Sequence, residues 1–465
     1  MRLRFGLFMI AIFVLAVILV AGSANVNSEV AAIVARGDAY RDAYLMTIAS
    51  DQYLQALDQQ PGNPAILVRL CDVSQRLGRR DDAATYADRA EAAGASRAEV
   101  ARCRARNAES SGQASRAAAQ WSIAVAEQPE DRSAQMSLIG ALVAAHDWQA
   151  AAAQAQAMLD ADPGDAAALF FRGALLALDD PLRARHYLRR AGTPESLALA
   201  DALDNPLGLS DRGYRAVSIG RVFLEHGRLP LAWRAFVAAT AGNPGYADAF
   251  AYLGITYDRL GDEALAGASL DRALELDPGS PVGPYLRGVF LSRRARWAEA
   301  QADLERALQL DPANPAIAFA LGRALVELGN FAAADDHFAR ALASEPDDFG
   351  WRLALAELYI GRLIRVADGG LPAARRAVEL NPGSAEARAW LGWGLHLTGE
   401  HGQAEAELRT AIGLDPALAR ARLYLGNVLV NVGRFEEGRT ELLRAVDLDP
   451  HGEIGARARQ LLGDR

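Results

Sequence analysis

No lysine occurs in this chain of 465 residues, so all 49 of its basic side chains are arginine. That absence removes phosphate chemistry of the GxxxxGK[ST] type, whose lysine reaches the phosphates. Together with the abundant alanine it reads as the mark of a GC-rich coding genome rather than of a mechanism. Cysteine is nearly absent too: only Cys71 and Cys103 occur, with no CxxC and no histidine cluster beside them, so no zinc site is indicated. A GxSxG elbow is missing, and Gly392-Trp-Gly394 lacks the third glycine of a dinucleotide loop and has no preceding strand pattern. His396 and His401 in His396-Leu-Thr-Gly-Glu-His401 are five apart, whereas zinc-protease signatures need two histidines four apart on one helical face. Acidic pairs such as Asp335-Asp336 and Glu436-Glu437 fall in turns and on outer helix faces, as solvated charge. A net charge of −9 with pI near 5.4, and no basic stripe, argues against nucleic acid as a partner. No catalytic residue, cofactor or metal site is expected, and the reading is that of a non-enzyme.

What is present is a ruler. Prolines fall 34 residues apart at Pro244, Pro278, Pro312 and Pro346, and after a slip of two at Pro382, Pro416 and Pro450. The ruler runs back through Pro163, Pro129 and Pro61, with Ala95 in place of one proline. A glycine precedes the proline by 24 residues (Gly220, Gly254, Gly288, Gly322, Gly392, Gly426), and an alanine precedes it by five (Ala239, Ala273, Ala307, Ala341, Ala377, Ala411, Ala445). Twelve before the proline comes another alanine, as in Ala266, and eight before it a bulky residue: Phe236, Leu270, Leu304, Phe338, Leu408, Leu442. The spacing predicts two antiparallel helices per unit. Small residues would let the backbones approach, and the bulky one would fill the gap to the next unit. Leu-Asp-Pro stops the second helix, since proline removes a donor and restricts its predecessor. Units this regular cannot bury their apolar faces alone and must stack.

Ala-Tyr-Leu-Gly-Ile-Thr-Tyr (251–257), followed by Ala266, Leu270, Ala273 and Pro278, resembles a tetratricopeptide repeat (TPR). The resemblance covers nearly the whole chain after its N-terminal segment, about eleven to twelve units from Val30 to Pro450. It implies an all-α fold, a right-handed superhelical solenoid whose concave face is lined by the first helix of each pair. Residues 30–192 form degenerate units, with Cys71 and Ala105 at glycine positions, and 212–450 form a regular array. Between them, 193–211 reads as an inserted helix and loop dividing the two arms; Arg362–Pro372 is a second break that lengthens a turn by two, and 451–465 is a capping helix and tail. Cys71 and Cys103 occupy near-equivalent places on the first helices of consecutive units. They are either a disulfide or two packed thiols.

The implied groove places Arg221, Tyr285, Arg293, Phe319, Arg323, Trp393, His396 and Asn427 on the concave surface, with Asp258, Glu357 and Asn431. Tyr285 and Trp393 are the foremost candidates, because aromatics and arginines carry much of the energy of interfaces. The lysine-containing clamp by which some relatives grip a chaperone's C-terminal carboxylate is matched only by Asn427, and Leu423 stands where it wants lysine.

Before the repeats, Arg2 and Arg4 precede an apolar run from Phe5 to Ala21, then Gly22-Ser-Ala24. Residues 1–24 therefore read as a signal anchor or as a signal peptide cleaved near Ala24, with the repeats across the cytoplasmic membrane of a prokaryote in either case. The function expected is a protein–protein interaction scaffold that assists assembly of an envelope complex for secretion, a pilus, polysaccharide export or cytochrome maturation. The alternatives are a self-associating structural protein, packing through Ala117–Ala119 and Ala150–Ala153, or a non-catalytic subunit of an envelope enzyme. With the last repeat ending at Pro450, about fifteen residues before the end of the sequence, no catalytic domain is expected.

Overall fold

A computed structural model describes residues 27–204 and 211–463, and among them every regular element is helical. The apolar run Phe5–Ala21 and the Asn205–Gly208 part of the inserted loop lie outside the described residues. Among the described residues, no helix is long and apolar enough to cross a membrane. They form twelve antiparallel helix pairs, the first being 27–42 with Met46–Gln59 and the last Ala419–Asn431 with Phe435–Leu448, followed by the single helix Glu453–Leu462.

The proline signal works through its neighbours. Asp277 Oδ1 accepts the Gly279 N–H at 2.9 Å, and Asp162, Asn243 and Asn381 do the same for Gly164, Gly245 and Gly383. Each closes an Asx turn across the proline, which ends one pair and aims the next. The proline carbonyl then receives a guanidinium from the second helix of the following pair. Arg306 donates to Pro278 at 2.9 Å, Arg340 to Pro312 at 3.0 Å, Arg190 to Pro163 at 2.7 Å and Arg89 to Pro61 at 3.3 Å. Arg306 and Arg340 make this strap six residues before the next proline, a spacing the sequence reading passed over, while Arg89 and Arg190 make it where no proline follows at that spacing.

The periodic glycine and the periodic bulky residue meet within a single pair. A Cβ on Gly254 would stand 2.7 Å from Leu270 Cγ and 3.0 Å from the Ala266 carbonyl, and Gly220–Phe236, Gly288–Leu304, Gly322–Phe338, Gly392–Leu408 and Gly426–Leu442 repeat the contact. This corrects the expectation that the bulky side chain fills the gap to the next unit: it is seated first on the glycine of its own. Two degenerate pairs conserve volume by inverting sizes: Cys71 replaces glycine where Ala87 replaces the bulky residue, and Ile139 is matched with Ala155, all four buried. Cys71 Sγ lies 3.0 Å from the Ala83 carbonyl, the counterpart of the Ala266 carbonyl at Gly254.

By packing, the chain forms two compact units: the described residues through Ala134 with those from Leu355 onward, and Gln135–Ala354. The boundary does not fall at the insertion. Its helix Pro194–Asp204 packs on both Pro181–Ala191 and Arg212–Glu225, so it continues the stack rather than dividing it. Arg189 reaches Asp201 and Asp204 at 2.9 and 2.6 Å, and Arg228 grips Glu195 at 2.9 Å, fastening the insert on both sides. At the second break a π-helical turn, Val366–Gly370, follows Arg365 and Leu363, both at positive φ.

The helix-crossing contact predicts opposite outcomes for two glycines one helix apart. Gly254→Ala should cost about 1–3 kcal/mol by overpacking against Leu270 and the Ala266 backbone. Gly267→Ala, with nothing near its Cβ in the helix Glu263–Leu276, should gain about 0.8–1 kcal/mol. Urea unfolding followed by circular dichroism measures both.

Candidate partner-binding groove

In the unit Gln135–Ala354, four consecutive first helices converge on one hollow. Arg212–Glu225 contributes Arg221, Leu224 and Glu225; Ala247–Leu260 contributes Tyr252. Val282–Ser292 adds Val282, Tyr285 and Leu286 behind Pro281, and Pro315–Glu327 adds Ala316 and Ile317 beside Asn314. The cavity holds about 420 Å³. Its walls are placed by local rules. Asp211 Oδ1 caps the first helix through the Gly213 and Tyr214 N–H groups, and Asn314 Oδ1 caps the fourth through Ala316 and Ile317. The glycine crossings at Gly220, Gly254 and Gly288 fix each first helix on its partner.

The chemistry of this hollow is aromatic and cationic. The Arg221 guanidinium lies 5.6 Å from the Tyr252 ring centroid, a cation–π pair on an exposed side chain. Burial pushes the phenols of Tyr252 and Tyr285 up, so both are neutral donors at physiological pH. Arg323 is exposed and its charge reaches Tyr285. Arg293 is exposed but engaged: with Arg294 it holds the buried Asp258 at 3.2 and 2.6 Å. Leu224, Leu286 and Ile317 form the apolar floor.

Other expected groove residues are elsewhere. Phe319 is 6% exposed, tilted on Phe338 at 5.1 Å and stacked on Trp351 at 5.8 Å, so it belongs to the core and not to the concave surface. In the other compact unit, Trp393 is 7% exposed and stacks on Tyr424 of the next pair at 4.6 Å. It is a packing residue. His396, 8% exposed, stacks on Trp393 and meets His401 Nδ1 at 3.0 Å. The Asn431 amide donates both to His396 Nε2 and to Asn427 Oδ1, each at 3.0 Å. Accepting at Nε2 puts the His396 proton on Nδ1, where it donates to His401. Asn427 is half-buried in this network, and exposed Glu357 lies 3.9 Å from Arg420.

The N-terminal pairs carry a second hollow of about 470 Å³, lined by Arg41, Arg69, Arg76, Arg102 and Arg106 with Asp42, Asp72 and Glu99. Its charges are largely mutual: Asp72 takes Arg76 and Arg106 at 3.0 and 2.9 Å, and Asp38 behind it takes Arg41 and Arg69 at 3.0 Å. Cys103, on its wall, is joined to Cys71 by a disulfide with Cα atoms 6.3 Å apart. No group of three metal-ligating side chains occurs among the described residues.

Sequence reasoning missed Tyr252, Leu224, Leu286 and Ile317. Tyr252 stands two residues before Gly254 and Leu286 two before Gly288, so the glycine phase was available to find them.

Two family models, both described as tetratricopeptide repeat, match the chain, one at residues 293–358 and one at 104–166, 217–281, 365–418 and 398–453. Together they cover more than half of the chain, which belongs to the tetratricopeptide repeat family. Proteins of this family bind protein partners, and the chain fits an interaction scaffold of that type. Among solved structures, yeast Tom70 is similar with a TM-score of 0.43 at 16% identity, over 94% of this chain and 95% of that one. TTC0263, a thermophilic TPR protein of Thermus thermophilus, is 25% identical with a TM-score of 0.34, over 39% of this chain and 99% of its own. A tetratricopeptide repeat protein from Parabacteroides merdae gives 16% identity and a TM-score of 0.42, over 54% of this chain and 98% of its own. No curated protein matches the chain.

The His396 network yields a pH prediction. Burial, and then the neighbouring His401, hold the His396 imidazole below its ordinary value of 6.5, with a hydrogen bond to the Asn427 side chain acting the other way. The unfolded chain therefore takes up the proton first. Stability is present above the unfolded value and is lost as pH falls through it toward the folded one. Melting temperature should drop between about pH 7.5 and about pH 5.5, and His396→Gln should flatten that drop. Equal slopes in the two proteins would exclude the assignment.

Proposed function

We propose that this protein is a non-catalytic scaffold that binds a partner segment in the hollow lined by Arg221, Tyr252 and Tyr285, on the extracytoplasmic side of a prokaryotic membrane. The observation that carries the reading is the convergence of an exposed arginine, two half-buried tyrosines and an apolar floor on four consecutive first helices. Such a surface buries aromatic and aliphatic side chains of a partner, while its guanidinium and phenols orient the partner's carbonyls and carboxylates.

Export is the second component of the proposal. It is supported by the apolar run Phe5–Ala21 behind Arg2 and Arg4, as retained anchor or cleaved signal, and by the Cys71–Cys103 disulfide, which suits an oxidising compartment. A scaffold in that place would gather components of an envelope assembly such as a secretion, pilus, polysaccharide-export or cytochrome-maturation system.

A crosslinking pull-down from native membranes tests both components, comparing the wild type with Arg221→Ala combined with Tyr285→Ala. The expected result is a partner enriched by the wild type in the membrane or periplasmic fraction and reduced at least about tenfold by the variant, the loss of two interface anchors. Equal recovery by both proteins would remove the hollow as the working surface. A protein found wholly in the cytoplasm would remove the export component.

A further inference from the structure

Within the compact unit that contains both the first and the last helix pairs, those two pairs touch. The helix Met46–Gln59 begins at Leu45, which supplies no side-chain cap. The cap comes from the far end of the chain: Asp447 Oδ2 accepts the Thr47 N–H at 3.1 Å, and its Oδ1 accepts the Thr47 hydroxyl at 2.6 Å. A carboxylate at a helix N-terminus satisfies orphan N–H groups and opposes the helix dipole.

The neighbouring contacts break the repeat pattern. Six residues before its proline, Arg444 stands where Arg306 and Arg340 reach the proline of the preceding pair. In the last pair this strap is redirected: Arg444 Nε donates to the Ala43 carbonyl at 3.0 Å, while its Nη1 pairs with Glu441. Glu441 also holds Arg422 at 2.8 Å, and the Arg422 guanidinium lies 5.4 Å from the Tyr44 ring centroid. The His451 ring rests so closely on Gly78 that no side chain fits there.

We propose that this contact is a reversible clasp, closed in the resting protein, whose opening frees the first pair from the last. The argument lies in what the interface is made of. Consecutive pairs are joined by apolar ring contacts such as Phe236 on Tyr252, Phe319 on Trp351 and Trp393 on Tyr424, which water cannot replace. The clasp is made of two carboxylates, Asp447 and Glu441, two guanidiniums, Arg422 and Arg444, the Thr47 hydroxyl and a backbone carbonyl, and beside it Tyr44, Arg409, Ile412, Arg422 and Leu425 line an open cleft of about 530 Å³. Asp447 and Arg422 are only 6% and 5% exposed, so the closed contact holds charges out of water, a desolvation cost that opening returns. Terminal repeats are also held by neighbours on one side only, so they open before interior ones. Opening uncovers the Thr47 N–H and hydroxyl, a pair of donors for a carboxylate that Asp447 occupies from within.

Hydrogen–deuterium exchange on the full chain tests the clasp without reference to any partner. In the wild type, Met46–Gln59 and Phe435–Leu448 should open together, at a rate independent of protein concentration, while Pro64–Arg76 and Ala385–Leu397 stay protected. Asp447→Ala should speed exchange at the start of Met46–Gln59 about tenfold, as loss of an N-cap of ordinary strength would. Arg444→Gln, which leaves the cap in place, should speed it less. The proposal fails if Asp447→Ala leaves Met46–Gln59 unchanged, or if opening depends on concentration, which would make the contact one between copies. It fails equally if Pro64–Arg76 and Ala385–Leu397 open in step with the two helices, for the contact would then be an inseparable part of one cooperative body.

Discussion

The close crossing of the two helices in each pair, where a bulky side chain is seated on a glycine, is the constraint on which the remaining structure depends. Leu270 can lie against the Gly254 backbone only because no Cβ intervenes, and six regular pairs repeat that geometry. Once the crossing is fixed, the first helix of each pair has a fixed roll, and its remaining residues are sorted into those facing the second helix, the next pair or solvent. The hollow around Tyr252 and Tyr285 follows from that sorting. Where the sequence abandons glycine, the volume is kept by shrinking the opposite residue, as with Cys71 and Ala87 or Ile139 and Ala155. Close packing explains this economy: an interior at crystal-like density tolerates exchange of volume between neighbours far better than a change in the sum.

Legibility in the sequence follows from this physics. The helix pairs and the proline turns were readable because a missing Cβ and a missing N–H are demands that few residue types meet, so they recur in phase. The direction of the bulky side chain was not readable, since phase alone does not say whether a residue faces its own pair or the next. Groove membership was harder still. Phe319 and Trp393 have the phase of surface residues, yet Trp351 and Tyr424 each place a ring over them from the following pair. Tyr424 shares the phase of Tyr252, two residues before a periodic glycine, but Trp351 has no aromatic counterpart in the other pairs. The contact of Asp447 with Thr47 spans 400 residues and had no signature beyond a helix start without a cap.

The insertion carries the same lesson. Its proline and Asn-Pro-Leu-Gly composition read as a divider, but the ion pairs of Arg189 with Asp201 and Asp204, and of Arg228 with Glu195, weld its helix into the stack. Composition reported the break in the ruler correctly. It did not report whether the surrounding surfaces were complementary. In a linear array each pair is stabilised chiefly by its neighbours, so an inserted helix that offers two matching faces preserves continuity while changing register.

The central claim is that the working surface is the first-helix hollow of the unit Gln135–Ala354. The most direct measurement is residue-resolved hydrogen–deuterium exchange of the full chain with and without its captured partner. The account predicts new protection in Arg212–Glu225, Ala247–Leu260, Val282–Ser292 and the start of Pro315–Glu327, with the second helices Glu263–Leu276 and Trp297–Leu310 unchanged. Protection confined to those second helices, or to the arginine-lined hollow of the N-terminal pairs, would contradict it.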